Sequence, residues 1–156
     1  MQMKEKGVKM ENSRFKFRSW EIRRKCFVDY MFLMSNGTIG SSMEQDGEYE
    51  YSTVKYGDCF IHSQYTGLKD KNGVEIYEGD IVRWGMNGQE YWLRYANVEL
   101  FPSLQFRILY YIDEKTLDKK PTYNHVIKFG RFVYQKTEKY LEVIGNIYEN
   151  PEILNI

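Results

Sequence analysis

The chain has 156 residues, with 22 Lys and Arg against 22 Asp and Glu, and is 42% hydrophobic, 28% charged and 17% aromatic. That length suffices for one compact core without metal or disulfide support, and the apolar fraction excludes disorder over most of it. Zero net charge excludes a global field toward nucleic acid or an anionic membrane, and no apolar run approaches the roughly 20 residues of a membrane span.

Side-chain shape sets the expected fold class. A single Ala and nine Leu stand against nine Val, twelve Ile and six Thr, with 14 Tyr, nine Phe and three Trp beside them. β-Branched and aromatic side chains lose rotamer freedom in a helix and fit a pleated surface. The expectation is a mainly-β chain with few, short helices. Residues 1–12 carry Lys4, Lys6 and Lys9 with Glu5 and Glu11 and no apolar run behind them, so they read as a flexible N-terminus rather than a signal peptide. Cys26 and Cys59 stand far apart in no motif, as ordinary thiols of a reducing compartment do, and the cytoplasm is the expected location.

Residues 14–20 alternate with period two. Phe15, Phe17 and Ser19 fall on one face and Arg14, Lys16 and Arg18 on the other, a strand with one wet face. The basic cluster Arg23-Arg24-Lys25 leads to Cys26-Phe27-Val28, and a second apolar run, residues 30–34, ends at Ser35-Asn36-Gly37, a hairpin turn. Residues 41–48 are polar and acidic and read as a loop, residues 48–52 alternate again, and residues 58–64 read as a buried strand.

Residues 69–73 have tight-turn chemistry, with Asp70 and Asn72 able to bond nearby backbone and Gly73 free to take positive φ. Gly79-Asp80 is a second reversal, after which residues 81–84 begin a strand and Met86-Asn87-Gly88-Gln89 turns into residues 90–98. This order matches the opening of a small SH3-like barrel. Residues 101–112 are dense in large apolar side chains and fit helix and strand equally; residues 113–121 read as an exposed connection. Residues 125–129 and 132–134 read as two strands around Gly130, and residues 141–148 as the last strand. Asn150 before Pro151 is a cap followed by the proline preferred in a first helical turn.

Three blocks carry a family resemblance. They are Tyr65-Thr66-Gly67-Leu68-Lys69-Asp70-Lys71-Asn72-Gly73, then Glu75-Ile76-Tyr77-Glu78-Gly79-Asp80-Ile81-Val82, and Ile144-Gly145-Asn146-Ile147-Tyr148-Glu149-Asn150-Pro151-Glu152. These closely resemble the YopX family of small phage and prophage proteins, and Phe17-Arg18-Ser19-Trp20 resembles that family's opening strand. The resemblance implies a mainly-β protein with an SH3-like barrel, encoded on mobile elements of bacteria. It implies no activity and brings no functional residues with it. The expected layout is an N-terminal β subdomain over residues 13–60 and an SH3-like barrel over residues 61–156. Gly67, Gly73, Gly79 and Gly145 set backbone geometry; Tyr65, Leu68, Ile76, Tyr77, Ile81 and Val82 pack; Asp70, Asp80, Asn146, Asn150 and Pro151 shape the turns.

No G-x-S-x-G, P-loop, H-E-x-x-H or G-x-G-x-x-G pattern occurs, and His62 and His125 are the only histidines, so no catalytic residue is assigned and a non-enzyme is expected. Cys59-Phe60-Ile61-His62 has a Cys-x-x-His spacing, but a strand would point Cys59 and His62 to opposite faces, so no metal or cofactor is expected. Asp70, Glu75, Glu78 and Asp80 cluster around two turns; the favoured reading makes Asp70 and Asp80 turn caps and leaves the glutamates solvated.

Up to Tyr30 the chain holds nine Lys and Arg against four acids, with Phe15, Phe17 and Trp20 interleaved, which resembles a stacking platform beside a phosphate track. Alternation instead sends those aromatics toward the core. The candidate binding residues are Arg14, Lys16, Arg18, Arg23, Arg24 and Lys25, together with Tyr91 and Trp92, because Tyr91-Trp92, Tyr95 and Tyr110-Tyr111 flank the barrel strands in a chain with more tyrosine than its core needs. The leading expectation is a non-catalytic protein-interaction module, its partner a host or phage protein or a second copy of the chain. The runner-up is a nucleic-acid binder using the basic N-terminal strand; no membrane is involved.

Overall fold

The computed structural model describes residues 16–28, 31–33, 39–45, 48–53, 59–85, 92–122, 124–132 and 136–154. In chain order the strands are β1 (Phe17–Glu21), β2 (Cys26–Val28), β3 (Met31–Leu33), β4 (Ile39–Gln45), β5 (Glu48–Thr53), β6 (Phe60–Lys69), β7 (Glu75–Tyr77), β8 (Asp80–Trp84), β9 (Trp92–Glu99), β10 (Gln105–Asp113), β11 (Lys119–Pro121), β12 (Val126–Lys128) and β13 (Glu142–Asn146). A four-residue helix, α1 (Thr137–Tyr140), and two 3-10 turns, Phe129–Arg131 and Pro151–Leu154, complete the described elements. The protein is mainly β, as its composition requires.

Three antiparallel sheets result. One has the order β2-β1-β6-β7 and one the order β3-β4-β5; the largest runs β11-β10-β9-β8-β13, with β12 also pairing to β10. This six-stranded sheet curls into a half barrel. Its concave face carries the core: Val82, Ala96 and Ile108 lie opposite one another on β8, β9 and β10, and Trp84, Val98, Phe106, Phe132, Leu141 and Ile76 close around them. The chain's single alanine sits in the middle of that row, fully buried, where the neighbouring strands already supply branched side chains.

Several elements differ from the sequence expectation. Residues 41–48 are mostly strand, because pairing of β4 with β5 satisfies the backbone despite the low β-propensity of the serines and glutamates. Residues 101–112 resolve as strand from Gln105 onward, and the connection over residues 113–121 ends in β11. Gly130 sits in a 3-10 turn that follows β12, and the second expected strand, residues 132–134, falls mostly on residues 133–135, outside the described residues. The basic face of the N-terminal strand is only partly wet: Lys16 is exposed, whereas Arg18 is half-buried and Trp20 is buried against the rings of Phe27 and Tyr148, and Ser19 on the other face is buried as well.

β6 spans residue 60 and pairs with β1 on one side and β7 on the other. The blocks separated in sequence meet in space. Lys71 N donates to Leu141 O and Asp70 Oδ2 accepts from Val143 N, each at 2.9 Å; Gly79 N donates to Val98 O and Ile147 N to Gly79 O, also at 2.9 Å. Gly79 has φ 81°, and a Cβ there would lie 3.3 Å from the Tyr148 ring, so both the turn and the close approach require glycine. No helix of the described residues is long and apolar enough to cross a membrane.

Candidate functional site

The basic residues of the N-terminal segment do not form one track. Lys16 Nζ reaches Glu75 Oε1 at 2.5 Å, and Tyr77 donates its hydroxyl to the same carboxylate at 2.8 Å. Glu75 is therefore held below the usual carboxylate range, chiefly by Lys16, rather than solvated. Arg18 donates to Asp80, with its guanidinium 4.4 Å from the Phe27 ring centroid and 4.8 Å from that of Tyr77. Burial pushes the Asp80 carboxyl up against the opposing pull of Arg18, and burial together with Glu75 pushes the Tyr77 hydroxyl up to about 12. Arg23, Arg24 and Lys25 occupy the exposed turn between β1 and β2, where Arg24 Nε lies 3.6 Å from Glu21. Arg14 and Tyr91 lie outside the described residues.

The turn acids act locally. Asp70 Oδ1 accepts from Asn72 N at 2.8 Å and Val74 N at 2.9 Å, and Asp80 Oδ2 accepts from Tyr77 N at 2.7 Å. Asn146 Oδ1 accepts from Tyr148 N and Glu149 N in the third family block, and Asn150 Oδ1 from Asn146 N. His62 Nδ1 sits 2.8 Å from Ser19 Oγ, and burial lowers the imidazole's pKa. Among the described residues no three His, Cys, Asp or Glu side chains gather as metal ligands would.

The remaining candidate, Trp92, lies in a groove. Arg94, Tyr111 and Lys120 are directly opposite one another on β9, β10 and β11, and Trp92 stands one step along β9, opposite Asp113. These four side chains line a space of about 400 Å³. A break in the β10 register between Ile108 and Tyr110 makes the arrangement: Ile108 faces the core opposite Ala96, and the extra residue returns Tyr111 to that same face. The concave surface thus runs from the apolar core into an open end lined by aromatic rings and cations.

Local bonds fix the groove. Ile108 N donates to His125 O at 2.8 Å and Thr122 Oγ1 to Ile108 O at 2.7 Å, which holds Thr122 and His125 beside the irregular segment. The Tyr111 hydroxyl is 2.8 Å from His125 Nδ1. Lys120 Nζ lies 4.5 Å from the Trp92 ring centroid and the Arg94 guanidinium 5.6 Å from that of Tyr111, so each ring backs a cation. On the convex face Tyr95 stacks on Tyr110 at 4.7 Å, with Lys119 4.6 Å from the Tyr110 ring. Tyr65, Tyr77, Tyr95, Tyr110, Tyr111, Tyr140 and Tyr148 are all buried or half-buried.

Sequence reasoning found Trp92 and the Tyr110-Tyr111 pair but missed Arg94, Lys120 and His125. No sequence signal marked the extra residue in β10, and the grouping depends on it.

Fold and groove together define a small mainly-β protein with a half-barrel sheet and an aromatic–cationic groove at one end. The chain belongs to the YopX family (YopX protein), which it matches over residues 16–155. Among solved structures it is similar to protein EF1440 from Enterococcus faecalis, at 24% identity and TM-score 0.48, over 90% of this chain and 97% of that one. No curated protein matches the sequence.

Proposed function

We propose that this protein is a non-catalytic binding module of a bacterial phage or prophage, acting in the host cytoplasm by contact with a protein partner, with the half barrel as its SH3-like element. The groove carries the reading. Trp, Tyr and Arg are the side chains that most often anchor protein contacts, and here Trp92, Tyr111 and Arg94 stand together at the open end of a rigid sheet. Tagged protein pulled down from the host bacterium, with and without nuclease, tests this. The reading expects a protein partner that survives nuclease and is lost from W92A; a partner retained by W92A overturns the groove as the contact.

A second reading is nucleic-acid binding at the β1–β2 turn, favoured by the exposure of Arg23, Arg24 and Lys25. It predicts material that disappears on nuclease treatment and on changing all three to Glu, with binding that weakens steeply as salt rises.

A further inference from the structure

We propose that one buried water molecule is a built-in part of the contact between the four-stranded sheet and the half barrel, accepting from Arg18 Nε and bonding the Ser63 hydroxyl. Arg18 and Ser63 are directly opposite each other on β1 and β6, so their side chains leave the sheet on the same face. That face meets the half barrel: Arg18 donates to Asp80 of β8, and Trp20, two residues along β1, stacks on Tyr148. Two polar atoms on it, Arg18 Nε and Ser63 Oγ, are out of contact with solvent and have no hydrogen-bond partner among the described residues. Ser63 as a whole is 0% exposed. Buried polar groups are nearly always paired, by protein or by ordered water, and two orphans facing each other across one strand pair point to a shared partner.

The rings fix where that partner sits. Phe27 stands on β2 and Tyr77 on β7, the outer strands, with β1 and β6 between them. The Arg18 guanidinium lies 4.4 Å from the first ring centroid and 4.8 Å from the second, so it spans the middle of the sheet, over Ser63. Rings on two sides and the Asp80 carboxylate at its end keep it from dropping onto the serine, whose one-carbon side chain leaves the hydroxyl near the sheet surface. Charge selects water over an ion. The Arg18 charge is already met by Asp80, so an added anion would face that buried carboxylate and an added cation the guanidinium. What the position calls for is a small neutral group that accepts from an N–H and bonds a hydroxyl in either sense, and water does both.

The test is a high-resolution crystal structure of the whole protein, together with oxygen-17 relaxation dispersion of its water, which counts long-lived water molecules and is blind to exchanging hydroxyl groups. The crystal is expected to show one water about 2.7–3.2 Å from both Arg18 Nε and Ser63 Oγ. In solution S63A, which removes one of the two partners, is expected to lose one long-lived water relative to the unaltered protein. A direct bond between Arg18 and Ser63, either atom paired with a backbone group instead, or a halide at the position overturns the proposal. So does an unchanged dispersion amplitude in a folded S63A. If S63A fails to fold, the crystal structure of the unaltered protein decides alone.

Discussion

Arg18 and Asp80 form the charge pair that joins the four-stranded sheet to the half barrel. Asp80 is 1% exposed, and Arg18 is sandwiched between Phe27 and Tyr77. Removing one member of such a pair strands the other, so R18M is expected to cost about 3–5 kcal/mol in urea unfolding, with the double change R18M/D80N recovering much of it. A single-variant loss under about 1 kcal/mol, the range of a surface pair, would show that the pair is solvated. Asp70 makes a parallel case, because its two oxygens accept three backbone N–H groups. Asp70→Ala should destabilise by about 3 kcal/mol or more, at about 1–3 kcal/mol for each buried donor left unpaired, and Asp70→Asn by clearly less. Both aspartates were legible as turn residues because Asx chemistry is local. Arg18 read as a surface base because its partner stands 62 positions away, a separation that strand alternation does not report.

At the scale of elements, Glu142 on β13 ties three segments. It accepts from Arg83 of β8 at 2.9 Å and pairs with Lys71 of the 70–73 turn at 2.8 Å. Arg83, with Lys71 behind it, draws the Glu142 carboxyl down to about 2 from an ordinary 4.5. Because the folded state holds this group deprotonated below its unfolded range, its stabilisation is complete above about pH 4.5 and is lost as pH falls toward 2. Both cations are well exposed, so the contribution is that of two screened pairs, about 1 kcal/mol in all. E142Q should lower the unfolding free energy by that amount at pH 7 and converge with the native protein near pH 2; a constant gap across the series would mean the effect is packing rather than charge. Most strands in this region were readable from alternation and from β-branched runs. The groove was not, since one unpaired residue near Leu109 changes which of Tyr110 and Tyr111 shares a face with Arg94, and nothing in the local residues marks it.

For the molecule as a whole, the C-terminal block is a structural seam rather than a tail. Leu141 is fully buried in the half-barrel core, Val143 N completes the Asp70 cap, and Tyr148 stacks against Trp20 of the four-stranded sheet at 5.9 Å between ring centroids. Thr137 Oγ1 donates to Lys69 O at 2.7 Å, so even the short helix before the seam is bonded to β6. The two regions that most resemble the family were legible as blocks, and their meeting was not, because antiparallel pairing between β8 and β13 is a long-range choice among several sequence-compatible partners. A chain ended after residue 136 loses the strand beside β8, a core leucine and the ring that covers Trp20 at once. It is therefore expected to unfold as one unit: Trp20 and Trp84, which report on different sheets, should become solvent-exposed together in fluorescence, and the β signal in circular dichroism should fall with them. If Trp84 stays buried while Trp20 is released, the half barrel folds independently of the seam, and the four-stranded sheet is an appendage to it.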